Sequence, residues 1–276
     1  MCRIVLVMCL CVGVACVASA QVNLQHSYTK GEELKYQLKQ ETNVEETTVD
    51  PQTKKLTTLK TVTTLTLSRT WKIVSVEADG SATLELTITA IKDEVVQTKD
   101  DEKAKTRSLD SSKEDDAKAM PFLNQPSMTV TLDRRGEVVS VKGEGKDLEA
   151  KLKEQLPLRA FLPKGPIKAK DTWTREFTIT TPTKEKFETI QEFAIKGQNG
   201  DYIVLSQTTT PKEKVTDDTV IPMLAHLLWN GEVFFNGKTN QYHGAKLKAT
   251  QNIKNHRGEG TKFIYKSEFT EAQVPK

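Results

Sequence analysis

Alternating hydrophobicity, abundant threonine and glycine-marked turns predict an all-β or β-dominated α+β chain. The pattern suggests two similar curved antiparallel β-units with two or three short helices. In ELKYQLKQETNV, Leu34, Tyr36, Leu38, Thr42 and Val44 share one side of an extended backbone, the period of a strand with one buried face. LKTVTTLTLSRTWKI repeats the period with Leu59, Leu65, Leu67, Trp71 and Ile73. Its threonines suit the strand, because branching at Cβ favours extended backbone. Asp79-Gly80 is expected to provide the positive φ angles of a tight turn, and Leu84, Leu86 and Ile88 align on the returning strand.

Two segments read as helices. Ser111-x-x-Glu114 has capping-box form and predicts a short helix over 112–120, ended by Pro121 and Pro126. Leu148, Leu152 and Leu156 recur every four residues before Pro157, which predicts a second helix with Glu149–Lys153 support on its wet side. Beyond Gly165 the strand pattern resumes through Trp173, Phe177 and Ile179. KGEELKYQLKQET and AKDTWTREFTITT echo each other, as do TWKIVSVEADGSATLEL and EFAIKGQNGDYIVLS. These echoes suggest an internal repeat. The division is a signal segment at 1–20, a first β-unit at 21–145, a helix and linker at 146–164, and a second β-unit at 165–276.

The signal reading rests on Arg3, an apolar run from Ile4 to Val17, and Ala18-Ser19-Ala20 before Gln21. The run is shorter than the roughly 20 residues of a membrane span. Cleavage between Ala20 and Gln21 implies export, to the periplasm or beyond. Cys16 after Gly13-Val14-Ala15 loosely fits a lipoprotein site, a minor alternative. Cys2, Cys9, Cys11 and Cys16 all precede the cleavage point. A chain starting at Gln21 therefore has no disulfide, thiolate nucleophile or cysteine-based zinc site. With 40 basic against 37 acidic residues, the balance carries no nucleic-acid signature. No later stretch is apolar enough to span a bilayer.

FLPKGPIKAKDTW resembles a mid-chain segment of uncharacterised exported bacterial β-rich proteins of planctomycete type. Those proteins carry a Leu-Pro…Gly-Asp-Thr-Trp segment. The parallels are Leu162-Pro163, Pro166-Ile167-Lys168 and Asp171-Thr172-Trp173, with Asp110-Ser111 and Gly136 upstream. Lys170 stands where that pattern has glycine. The family has no assigned activity, so the resemblance implies no functional residues. More loosely, the order of long strands and covering helix is similar to the curved half-barrels of periplasmic lipoprotein and lipid carriers.

GEVFFNGKT at 231–239 ends like a phosphate-binding loop. Its glycines, Gly231 and Gly237, are separated by five residues rather than four. A turn and a strand follow instead of the helix whose N-terminus would favour anions. The stretch reads as a hairpin turning at Asn236-Gly237, with Val233 and Phe235 on one face and Phe234 on the other. His26, His226, His243 and His256 have no metal-ligand spacing, and His26 is expected to be exposed. No nucleophile motif is recognisable. The expectation is no catalytic residue, metal, cofactor or nucleotide.

The chemistry points to the apolar run TVIPMLAHLLWN. Met223, Leu224, His226, Leu227 and Trp229 form a candidate apolar ligand site, with His226 as a polar handle at its rim. Trp71, Trp173 and Tyr36 are expected to anchor the core. The leading function is an exported, non-enzymatic envelope protein that binds or builds structure. Its partner would be a lipid or other apolar small molecule. The alternative is a protein–protein module for an envelope partner, using the charged 99–118 segment and sheet edges. An unrecognised hydrolase is third.

Overall fold

A computed structural model describes residues 21–50, 52–143, 147–168, 170–181, 183–218 and 220–275. The signal segment, including Ala20 and Cys16, lies outside the described residues; Gln21 lies within them and is exposed.

The described strands join one large antiparallel sheet, confirming a β-dominated architecture. In chain order they are β1 (Glu33–Val49), β2 (Leu56–Val76), β3 (Ala82–Lys99), β4 (Lys105–Asp110), β5 (Pro126–Leu132) and β6 (Val138–Gly143) in the first half. The second half contributes β7 (Thr172–Thr180), β8 (Lys186–Asn199), β9 (Tyr202–Pro211), β10 (Asn230–Asn236), β11 (Gln241–Lys254) and β12 (Lys262–Gln273). The order across the sheet is β6-β5-β3-β2-β1-β12-β11-β10-β9-β8-β7, with β4 paired to β3. The halves meet at β1 and β12, where Leu38 lies opposite Glu271 and Gln40 opposite Phe269. The two halves of the chain therefore continue one ladder.

Among the described residues, three short helices accompany the sheet: α1 (Glu114–Lys118), α2 (Leu148–Glu154) and α3 (Ile221–Leu224). The expected capping box of α1 does not form. Lys113 is the N-cap, Ser111 Oγ instead accepts the Ile91 N–H at 3.0 Å, and Ser112 Oγ donates to Asp110. Tying the loop to β3 satisfies buried backbone, which outweighs a cap on a five-residue helix. The seven-residue α2 is about 10 Å long, yet it packs against both β6 and β7, the sheet's two edge strands. The sheet is thus curled into a trough whose edges approach each other beneath α2.

Alternation along the strands sets the trough's inner face. Leu34, Tyr36 and Leu38 of β1 are buried, and the intervening Lys35, Gln37 and Lys39 are exposed. Tyr36, Trp71 and Trp173 are all buried, as core anchors should be. Turn details differ from expectation in two places. Only Gly80 (φ 81°) has positive φ in the β2–β3 turn, where Asp79 instead accepts hydrogen bonds from Ser81. In the β10–β11 turn Asn240 (φ 55°) takes the left-handed position, and Asn236 Oδ1 accepts the N–H groups of Lys238 and Thr239. Phe235 is fully buried, while Phe234 lies on the outer face near the Lys246 ammonium.

Residues 155–168 run through the trough as an interior strap without regular secondary structure. Leu156, Leu158, Ala160, Phe161 and Leu162 are buried in the main core. Such backbone must find hydrogen bonds away from any ladder. Side chains from across the fold donate them: Arg69 to Pro157 O (2.9 Å), Trp173 Nε1 to Phe161 O (2.7 Å), and Arg135 Nε to Leu162 O (3.0 Å). His26 Nε2 meets Ala160 O at 3.0 Å. Contrary to the expected exposure, His26 is buried, between Tyr28 and Phe235. The segment carrying it pairs Val22 with Ile167 and so runs along the strap.

Two measurements test this arrangement. At Gly136 (φ 84°) an added Cβ would lie 2.5 Å from Ala160 O and 2.9 Å from His26 Nε2, whereas at Gly31 (φ 85°) nothing lies within 4 Å. In urea unfolding, Gly31→Ala should cost about 1 kcal/mol for the backbone alone. Gly136→Ala should cost more than about 2 kcal/mol, because the strap contact is added. Burial lowers the His26 pKa from 6.5 to about 4. The unfolded state therefore binds the extra proton first as pH falls. The stability held above pH 6.5 should decline by about 3 kcal/mol on acidification toward pH 4. His26→Gln, followed by urea unfolding across that range, should flatten this part of the profile.

Candidate functional site

Between the strap, α2 and the inner face of β1, β2 and β12 lies a cavity of about 940 Å³. It sits at the large end of the roughly 300–1,000 Å³ typical of small-molecule sites. Leu38, Leu65, Leu156, Ile179 and Phe269 give it apolar walls. Met223, His226 and Leu227 close one side. Three of the five candidate residues are thereby brought together. Of the other two, Leu224 packs with Ile179, Val220 and Leu227 in a separate small cluster. Trp229 is buried in the main core, edge-on to Phe269 at 5.9 Å between ring centres. It stands behind the cavity wall. His226 is exposed at the rim, and partial desolvation lowers its pKa.

Helix α3 ends at Leu224 and a turn follows, so Leu227 lies beyond it; Leu227 lines the cavity and also packs in the cluster that holds Leu224. The run that follows α3 then enters β10, which carries Trp229 into the core.

The inner wall also holds polar groups that strand periodicity did not single out. Arg69 Nη2 lies 2.6 Å from Glu271 Oε1, and Glu271 is fully buried. Tyr242 Oη donates to Glu271 Oε2 at 2.7 Å, and Tyr36 Oη donates to Tyr242 O at 2.9 Å. Burial, reinforced by the Glu271 charge, pushes both phenols well above their usual range. Both therefore remain neutral donors, Tyr242 to the Glu271 carboxylate and Tyr36 to the Tyr242 carbonyl. Gln40, Thr42 and Ser267 continue the polar row along β1 and β12, with Thr42 Oγ1 2.7 Å from Ser267 Oγ.

Arg159, on the strap, also lines the cavity. Its guanidinium stacks 4.0 Å over the Phe269 ring and 5.8 Å from Trp229. Burial lowers its pKa, and the Glu271 charge partly opposes that. The readable signal was a lone arginine inside the apolar run LPLRAFLP. Arg69 and Glu271 had no such signal, because charged residues are common on strands with one wet face.

The remaining histidines do not converge. His243 lies tilted against Tyr202 at 4.4 Å between ring centres, and His256 is buried in the β11–β12 turn beside Glu46. Among the described residues, no group of three or more histidine, aspartate or glutamate side chains could hold a metal ion. Gly231 is tightly enclosed: a Cβ there would meet Lys246 O at 2.2 Å. The glycine of the nucleotide-like stretch is thus a close-approach residue between β10 and β11.

No family model matches the chain, and no curated protein does. Among solved structures, one concerned with lipid–protein interactions in lipovitellin is similar at a TM-score of 0.51 and 11% identity, over 90% of this chain. The chain spans 26% of that protein's chain. At this identity the likeness is one of fold, a large curved antiparallel sheet.

The Arg69–Glu271 pair can be tested directly. Glu271→Gln leaves a buried guanidinium without its counter-charge and should cost about 3–5 kcal/mol in urea unfolding. Arg69→Met combined with Glu271→Leu should recover only part of that loss: both charges leave the interior together, but Pro157 O and the Tyr242 hydroxyl lose their partners.

Proposed function

We propose that this chain is an exported, non-enzymatic protein of the cell envelope, periplasmic or secreted, that holds an apolar or lipid-like ligand in the concavity of its sheet. The carrying observation is the cavity of about 940 Å³, with Leu38, Leu65, Leu156, Ile179, Met223, Leu227 and Phe269 in its walls. A core of this size ordinarily packs without voids much larger than a water molecule. A hollow of these dimensions with aliphatic and aromatic side chains in its wall suits a greasy occupant. The fold likeness to a lipid-associated curved sheet is compatible with that use. Export rests on the amino-terminal sequence pattern. Among the described residues, no helix is long and apolar enough to cross a membrane.

A second reading, an interaction module for an envelope protein, is favoured by the β1–β2 tip. Val49, Leu56 and Leu59 are 39%, 52% and 40% exposed there. The charged edge strand β4 lies beside the same end of β3.

Native mass spectrometry of protein gently purified from its own envelope separates the two readings. A carrier should show an added lipid-sized mass that organic extraction removes, and Met223→Trp should reduce its occupancy severalfold. A clean single-chain mass argues against the carrier. A stoichiometric second polypeptide, lost in a Leu56→Glu variant, would establish the module instead.

A further inference from the structure

Arg159 is a desolvated cation whose counter-charge is missing. It lies deep in the trough yet remains partly exposed, because the cavity wets it. Among the described residues, no carboxylate pairs with its guanidinium. Glu271, whose charge acts on it, is already engaged by Arg69 at 2.6 Å and by Tyr242 at 2.7 Å. Buried charges are normally paired, since desolvation without compensation is costly. Stacking on Phe269 holds the guanidinium by its face. That contact leaves its in-plane N–H groups free, in the fork that matches carboxylate and phosphate oxygens.

The surroundings agree in charge and shape. Arg69, Lys151, Lys184 and Arg159 line the cavity with Asp147 and Glu154, and His226 stands at the rim. Glu154 is itself held by the Thr180 N–H at 3.4 Å, and burial raises its pKa. Both weaken it as a counter-ion for a deep arginine. From the Arg159 end, apolar wall continues past Leu38 and Leu65. Gln40 and Leu65 also border a second hollow of about 250 Å³, whose further lining includes Ile91 and Leu109. The two hollows share Gln40 and Leu65, and the second also carries Thr42, Thr63 and Asp93, so the aliphatic wall that leads away from Arg159 is that of Leu38 and Leu65.

Building on the carrier reading, we infer that the cavity takes an anionic amphiphile: its carboxylate or phosphate head is bound by Arg159, and its hydrocarbon chain runs along Leu38 and Leu65. Head and chain are recognised separately, so each can be removed alone.

Titration calorimetry of the delipidated full protein with dodecanoic acid, methyl dodecanoate and dodecyl phosphate tests this. The acid or the phosphate should bind at least about tenfold more tightly than the neutral ester, the worth of one charged hydrogen-bonding partner. Whichever anion binds better identifies the head. In Arg159→Gln the gap between anion and ester should collapse while ester binding persists, and Arg159→Lys should restore part of it. Met223→Trp should weaken all three by occupying the wall. Equal affinity of anion and ester in the unaltered protein would overturn the inference and leave the apolar carrier standing. Absence of binding by all three would overturn both. If Arg159→Gln does not fold, the anion–ester gap of the unaltered protein and the Arg159→Lys response still decide. An unchanged affinity in a folded Met223→Trp variant would place the ligand elsewhere and reject the assignment.

Discussion

The fold depends on how the interior strap satisfies its own backbone. A segment without helix or ladder lies in the centre of a curled sheet, where water is scarce. Its carbonyls at Pro157, Ala160, Phe161 and Leu162 are met by Arg69, His26, Trp173 and Arg135. These partners come from β2, the amino-terminal segment, β7 and the β5–β6 turn. Each bond contributes modestly, but an orphaned carbonyl in that setting would cost far more. The strap therefore connects both halves of the sheet and holds their curvature. It also explains why arginine and histidine occur in an interior otherwise built from leucine and aromatic rings.

The strap divides the trough unequally. Along Leu158 to Leu162 it fills the concavity, with Phe161 against Phe193 and Trp173 stacked on Phe193. Toward Gln155–Pro157 it runs beside α2 and leaves space against β1, β2 and β12. The filled end gives rigidity, and the open end gives the candidate site. Arg159 sits on the boundary, carried by the same backbone that closes the core. A ligand head at Arg159 would thus touch the element that secures the sheet.

Much of this architecture was legible along the chain. Period-two alternation identified the buried face of β1 and, at Trp71 and Ile73, that of β2, although Leu59 on the same side is exposed; Tyr36, Trp71 and Trp173 occupy the core. The leucine spacing before Pro157 located α2 to within about two residues. The apolar run at 221–229 supplied Met223, His226 and Leu227, which meet in the cavity wall. What escaped was set by distant partners. His26 has no local signal for burial, because its acceptor lies 134 residues away. The Ser111–Glu114 pattern had capping form, but Ser111 is taken by Ile91 across the loop. Glu271 reads as one of many strand charges until Arg69 is placed beside it.

The sequence by itself determined the secondary elements and which face of each strand avoids water, because both follow from local spacing and side-chain chemistry. It also excluded disulfides from the region beyond residue 20, since every cysteine precedes that point. Only the tertiary structure decided that the two halves share one sheet through β1 and β12, and that the strap enters the trough. It alone set Arg159 over Phe269 with Glu271 committed elsewhere. Strand pairing and the pairing of buried charges depend on which distant segments meet, and no local pattern encodes that meeting.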